Sequence, residues 1–209
     1  MSESRPIEWA VGDDVAGKDI KAFGQPTGLL CGMDEAGRGP LAGPVAAAAV
    51  ILPLDFPLAI LGDSKALSRT AREDAYGVIS ERAIWWVDWA WPGEIDRLNI
   101  LGATMLAMQR AFSGLGVMPS LVLVDGNRAP VLPCPCRAVV KGDTTEPAIM
   151  AASILAKVAR DRTMERYDWL YPEYGYAVHK GYPTAAHRAI CRTLGPSPIQ
   201  RMSFSYRKE

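Results

Sequence analysis

Apolar residues along the chain fall in short runs that end in turn residues or acids. Residues 1–28 mix Gly, Pro, Asp and Lys without apolar period and are read as a weakly ordered N-terminal extension. Leu29 to Met33 is an apolar run entering Asp34-Glu35, then a Gly/Pro turn, then Val45 to Leu52. Two such runs across a turn predict a hairpin. Four alanines in the second run would let another element pack closely on it. Ser68 to Ala83 is predicted helical, with Ser68 as N-cap. Ile84 to Trp91 alternates, with Trp85, Val87, Trp89 and Trp91 on one face and Trp86, Asp88 and Ala90 on the other. That is a strand pattern, its tryptophan face expected under a helix, with base stacking as the other reading.

Pro92-Gly93 breaks the chain before a helix from about Glu94 to Phe112, striped by Leu98, Leu101, Met105 and Met108. Leu121 to Val124 is wholly apolar and ends in Asp125-Gly126-Asn127, as a buried central strand would. Ala138 to Val140 is a second such run, ending in Lys141-Gly142-Asp143. Pro147 suits the first turn of a helix reaching about Asp168, with Ala151-Ala152-Ser153 against the sheet. Pro183 to Leu194 gives a last helix, stopped by Gly195-Pro196. The order β-β-α-β-α-β-α-β-α-α predicts an α/β fold with a five-stranded mixed sheet. In it a hairpin and a third strand precede two strands joined by helical crossovers.

Composition adds little: 49% hydrophobic and 22% charged residues over 209 positions suit one globular domain. No apolar run reaches the roughly 18 residues that span a bilayer. The opening MSESRPIEWAVGDD has no apolar signal segment, so a cytoplasmic protein without membrane contact is expected. Cys31, Cys134, Cys136 and Cys191 form no metal pattern and read as free thiols. Net charge is zero but uneven. Residues 137–209 carry 12 Lys/Arg against 7 Asp/Glu, and residues 1–136 carry 11 against 16. A basic C-terminal third beside an acidic remainder suits a protein that grips phosphate with one part and holds cations with the other.

Three apolar strands are expected to end in acids: Asp34-Glu35, Asp125 and Asp143. Taken singly, each acid also reads as a turn cap. Recurring at the ends of parallel strands, they would meet on one sheet edge and repel, unless cations lay between them. Hard carboxylate oxygens favour Mg²⁺ or Mn²⁺. Two such ions about 4 Å apart support phosphodiester hydrolysis without a side-chain nucleophile. The only histidines, His179 and His187, lie far along the chain and read as satisfied or phosphate-facing.

Seven separated blocks then resemble the ribonuclease HII (type 2 ribonuclease H) family, in that family's order. They are Asp34-Glu35-Ala-Gly37-Arg38-Gly39-Pro, Asp63-Ser64-Lys65, Asn99 to Arg110, Asp125-Gly126-Asn127-Arg128, Lys141-Gly142-Asp143, Ala151 to Asp161, and His179-Lys180-Gly181-Tyr182-Pro183-Thr184. The resemblance implies a ribonuclease H-like catalytic domain over residues 29–209, with a helical substrate-binding region from about 165. It implies a catalytic, metal-binding quartet of Asp34, Glu35, Asp125 and Asp143, with Asp161 as rival for the fourth place. The implied substrates are RNA–DNA hybrids and DNA duplexes containing ribonucleotides, cut 5′ to a ribonucleotide by a monomer using two Mg²⁺ or Mn²⁺ ions. Gly37, Arg38 and Gly39 would touch the sugar–phosphate and its 2′-hydroxyl. Tyr182 would pack on the sugar at the RNA-to-DNA junction. Lys65, Lys141, Lys180 and Arg188 are candidate phosphate contacts. The chain departs from the family's Ser-Phe-Gly-Pro-Val ending, reading Met202-Ser203-Phe204-Ser205-Tyr206.

A dinucleotide site is the obvious rival at Gly37-x-Gly39. Its next glycine, Gly43, comes one residue late, and Pro40 and Pro44 block the helix that should receive the pyrophosphate. A catalytically inactive hybrid-binding module of the same fold is the alternative that keeps every block.

Overall fold

A computed structural model describes residues 28–64 and 66–205. The expected extension at 1–28 therefore lies, but for its last residue, outside the described residues, as does Lys65. The expected hairpin is present as β1 (Leu30–Ala36) and β2 (Val45–Ile51), paired antiparallel with Asp34 opposite Ala48. β3 (Ile84–Ala90) extends the sheet beyond β2. β4 (Leu121–Asp125) and β5 (Cys136–Val139) add parallel strands on the other side, giving the order β3-β2-β1-β4-β5.

Helices cover both faces. α1 (Arg69–Arg82) is capped by the Ser68 side chain, which accepts from the Ala71 N–H. With α4 (Pro147–Leu170) it packs over Ala48 and Val50 of β2. α2 (Pro92–Gly114) closes the opposite face over Cys31, Met33, Ala47, Ala49, Val122 and Val124. The all-buried β2 shows why its centre is alanine: helices press on it from both sides. Gly32 of β1 has the same cause, since a Cβ there would overlap the backbone of Ala148 and Ile149 in α4.

Several expectations need correcting. No helix joins β4 to β5; residues 126–135 cross between these neighbouring parallel strands as a loop. β5 is a half-buried edge strand of four residues, not a central one. The helix expected over 94–112 is two helices meeting at Asn99, whose φ is +58°. The Asn99 side chain caps the second by accepting from the N–H groups of Leu101 and Gly102. The buried residues are Ile95 in the first and Ala103, Thr104, Ala107, Met108, Ala111 and Phe112 in the second, which turns Leu101 and Met105 toward the edge of the helix. The tryptophan face is only partly covered: Trp85 and Val87 pack toward α1 and α4, while Trp91 lies past the strand end, stacked on Trp89 and 44% exposed.

α4 runs past the sheet, and its far end carries a third apolar cluster of Ala42, Met164, Tyr174, Tyr176 and Ile199. Around it lie a 3-10 turn at Pro172–Tyr174, α5 (Tyr176–His179), α6 (Ala185–Leu194) and the closing segment 197–201. Ala42 bridges to Gln200, so this region is tied to the loop after β1. Among the described residues, no helix is long and apolar enough to cross a membrane.

Candidate metal centre

The site forms where β1 and β4 end. Met33 pairs with Val124 in parallel register, so Asp34 and Asp125 sit at neighbouring C-terminal strand ends. Strand alternation puts Asp34 on the face of Gly32, toward α4. There the Ser153 hydroxyl hydrogen-bonds its carboxylate, and Ser153 Oγ lies 2.8 Å from Ser64 Oγ. The Glu35 N–H donates to Asp34 Oδ1 at 2.7 Å. Asp34 is 4% exposed. Burial, then the charges of Glu35 and Asp125, push its pKa well above the carboxylate range, and the Ser153 and Glu35 hydrogen bonds only partly oppose them.

Asp143 arrives differently from the expected strand end. After β5, Lys141 takes a left-handed conformation (φ +59°) and opens a four-residue helix, α3 (Gly142–Thr145), which carries Asp143. The Asp143 N–H donates to Asp125 Oδ1 at 3.2 Å, fixing helix to strand end. Ligating oxygens of Asp34, Asp125 and Asp143 lie within 4.8 Å of one another. The donor set is all hard oxygen, and a cation would offset the neighbouring negative charges that Asp34 meets, so these residues fit a divalent ion.

Glu35 lies outside that three-oxygen cluster. Alternation turns it to the α2 face, where it joins Arg38, Leu101, Met105, Met108 and Asp125 around a cleft of about 260 Å³. Its carboxylate is 3.4 Å from Arg38 Nη1. Asp161, the rival fourth acid, is held by Lys157 at 2.9 Å along α4 and is not in the cluster.

The turn after β1 is organised from beneath. Arg201, fully buried, donates to the carbonyls of Gly37 (2.6 Å), Arg38 (3.0 Å), Pro40 (2.8 Å) and Gly43 (2.8 Å). Arg160, 1% exposed, donates to Pro44 (3.0 Å) and Ala42 (3.3 Å). Burial lowers their pKa values to about 9 and about 10, so both stay cationic at neutral pH. Gly37 has φ +101°, and a Cβ there would overlap the Arg160 side chain, so glycine is required twice over. At Gly39 a Cβ would come 3.7 Å from the Tyr182 ring, which places the ring beside the glycine turn.

Tyr182 is 41% exposed, on a turn held by its N–H to the His179 carbonyl and by His187 Nδ1 on its own carbonyl. The two histidine rings stack 4.2 Å apart beside Tyr176, and burial lowers both pKa values, leaving them neutral and structural. Lys180 pairs with Glu165 at 2.8 Å, which also accepts Arg69. Lys141 is exposed near the acids, and Arg188 donates to the Pro183 carbonyl from α6.

Sequence reasoning missed Arg201, and it gave Ser153 and Arg160 no part in the site. Arg160 had a usable signal, since it falls in the buried row Ala152, Ala156, Arg160, Met164 at four-residue spacing. Arg201 lies in an aperiodic segment and had none.

Comparison with known proteins fits this geometry. The family model described as Ribonuclease HII matches residues 31–207. A ribonuclease HII of Azoarcus sp. (strain BH72) is 59% identical over 177 residues, spanning 84% of this chain and 87% of the relative. One from Laribacter hongkongensis (strain HLHK9) is 60% identical over 178 residues, spanning 84% and 90%. The crystal structure of ribonuclease H2 from Pyrococcus horikoshii OT3 superimposes with TM-score 0.67 at 25% identity, covering 85% of this chain and 94% of that one.

Proposed function

The chain belongs to the ribonuclease HII family and is a ribonuclease H endonuclease, and on that footing we propose that Asp34, Glu35, Asp125 and Asp143 hold its divalent ions. The observation that carries this reading is the convergence of three carboxylates from β1, β4 and α3 within 4.8 Å. The substrate is the RNA strand of RNA–DNA hybrids and a single ribonucleotide within duplex DNA, cut on its 5′ side.

The chemistry that two bound Mg²⁺ or Mn²⁺ ions about 4 Å apart would supply is activation of water and stabilisation of the departing oxygen. The bond from water oxygen to phosphorus forms as the bond to the 3′ oxygen breaks, leaving 3′-hydroxyl and 5′-phosphate ends. The protein's part is positioning. Asp34 and Asp125 are fixed by strand pairing, Asp143 by its N–H on Asp125, and Asp34 further by Ser153. Glu35 holds its ligand oxygen on the cleft side, beside Arg38. Arg38 and Gly39, both exposed, offer backbone N–H groups to the sugar–phosphate and the 2′-hydroxyl. Tyr182, beside Gly39, packs on the sugar following the ribonucleotide. One chain supplies all these groups, which supports action as a monomer.

Cleavage of a continuous hybrid and of a duplex with one ribonucleotide, each with and without Mg²⁺ or Mn²⁺, tests the proposal. Ion-dependent cutting 5′ to the ribonucleotide is expected. Retained binding with intact substrate at high protein concentration would instead support the non-catalytic hybrid-binding module.

A further inference from the structure

We propose that Arg201, assisted by Arg160, is a positioning residue for ribose recognition, setting which way the peptide groups of residues 37–39 point. The inference rests on the reading that this turn meets the 2′-hydroxyl.

A trans peptide points its carbonyl and the following N–H in opposite directions. Arg201 pulls the Gly37 and Arg38 carbonyls inward, which turns the N–H groups of Arg38 and Gly39 outward. Both residues are exposed, and among the described residues neither N–H donates to a protein acceptor. The rest of the turn is pinned in the same sense. The Pro40 and Gly43 carbonyls bind the Arg201 guanidinium, Leu41 O accepts the Arg201 N–H, and Ala42 and Pro44 bind Arg160. Among the described residues neither guanidinium forms an ion pair, so carbonyls are what hold two desolvated cations in place. A guanidinium suits this because its planar fork presents donors in several directions at once, whereas an ammonium is a point.

The second link runs to Tyr182. Leu41 N–H donates to the Gly181 carbonyl, and the Arg160 guanidinium lies 5.8 Å from the Tyr182 ring centre. The same two arginines thus set the relation between the glycine turn and the tyrosine beside it. Arg201 also brings the closing segment into the site, with Met202 and Ser203 N–H groups anchored on Asp96.

The test compares the full-length parent with Arg201→Lys and Arg160→Lys. Equilibrium binding without divalent ions is measured on a duplex bearing one ribonucleotide and on the matching all-DNA duplex, alongside thermal melting. The parent should prefer the ribonucleotide duplex. Each lysine variant should retain a cooperative melt and bind all-DNA duplex as the parent does, while the preference shrinks by about tenfold in Arg201→Lys, roughly the value of one lost hydrogen bond, and by less in Arg160→Lys. A parent without preference would overturn the reading of the turn itself. Parental preference in folded variants would overturn the positioning role, and so would the loss of a cooperative melt in both, which would make the pair a fold determinant only.

Discussion

Gly32 of β1 and Ala148 of α4 touch backbone to backbone, because no Cβ stands between them. This contact sets the depth of α4 on the sheet, and with it the reach of Ser153 to Asp34 two residues beyond the glycine. Gly32→Ala should therefore act on two properties. Overpacking should cost about 1–3 kcal/mol, visible in chemical denaturation. Cleavage measured well below the melting temperature should fall as well, since the displaced helix carries Ser153. A destabilised variant with parental turnover would show that α4 depth does not matter to the site.

Ser153→Ala is the sharper probe of that hydrogen bond. Loss of a group that orients a metal ligand typically costs about ten- to a hundredfold in affinity or activity. The expected signature is a higher Mg²⁺ concentration for half-maximal cleavage, with duplex binding unchanged.

Asp34 ties acid stability to the metal. Its folded pKa lies above the ordinary 3.8 because burial and neighbouring carboxylates disfavour its charge. A raised folded value favours the native state at low pH, and that contribution is lost as pH rises through the folded pKa. Above the unfolded carboxyl's pKa the buried group therefore costs the metal-free fold stability. Asp34→Asn should melt higher than the parent at pH 7 in a chelator, with the difference narrowing toward pH 4, and Mg²⁺ should stabilise the parent more than the variant. Turnover should be lost with duplex binding kept, and residual activity within about tenfold of the parent would contradict a ligand role. Asp161→Asn, by contrast, removes only a partner of Lys157 and should still cut, whereas Asp143→Asn should not.

Tyr182→Ala should lower cutting at a single ribonucleotide more than cutting of a continuous hybrid, because only the former depends on sensing an RNA-to-DNA junction. Equal loss on both substrates would remove that role from the ring.

Salt dependence separates the basic residues. Arg38 is exposed beside the cleft and only loosely paired with Glu35, at 3.4 Å, so Arg38→Ala should reduce the slope of log affinity against log salt by about 1. Lys180 is already neutralised by Glu165, and Lys180→Ala should leave the slope nearly unchanged.

The sequence by itself determined the strands, most helices and which acids, Asp34, Asp125 and Asp143, the fold brings together. Each of these is written in local periodicity or in a run ending at a charged residue: Leu121–Asp125 could hardly be anything but a buried strand delivering Asp125 to its edge. The absent crossover between β4 and β5 escaped because a ten-residue loop between parallel neighbours leaves no periodic trace. So did the Asn99 break, since a side-chain cap in mid-helix conflicts with no apolar spacing. Tertiary structure alone decided that Asp143 comes from a short helix beside Asp125 and that Arg160 and Arg201 meet under the glycine turn. The arginine contacts join segments more than a hundred residues apart, where only packing in three dimensions, and the need of every buried carbonyl and cation for a partner, fixes who meets whom.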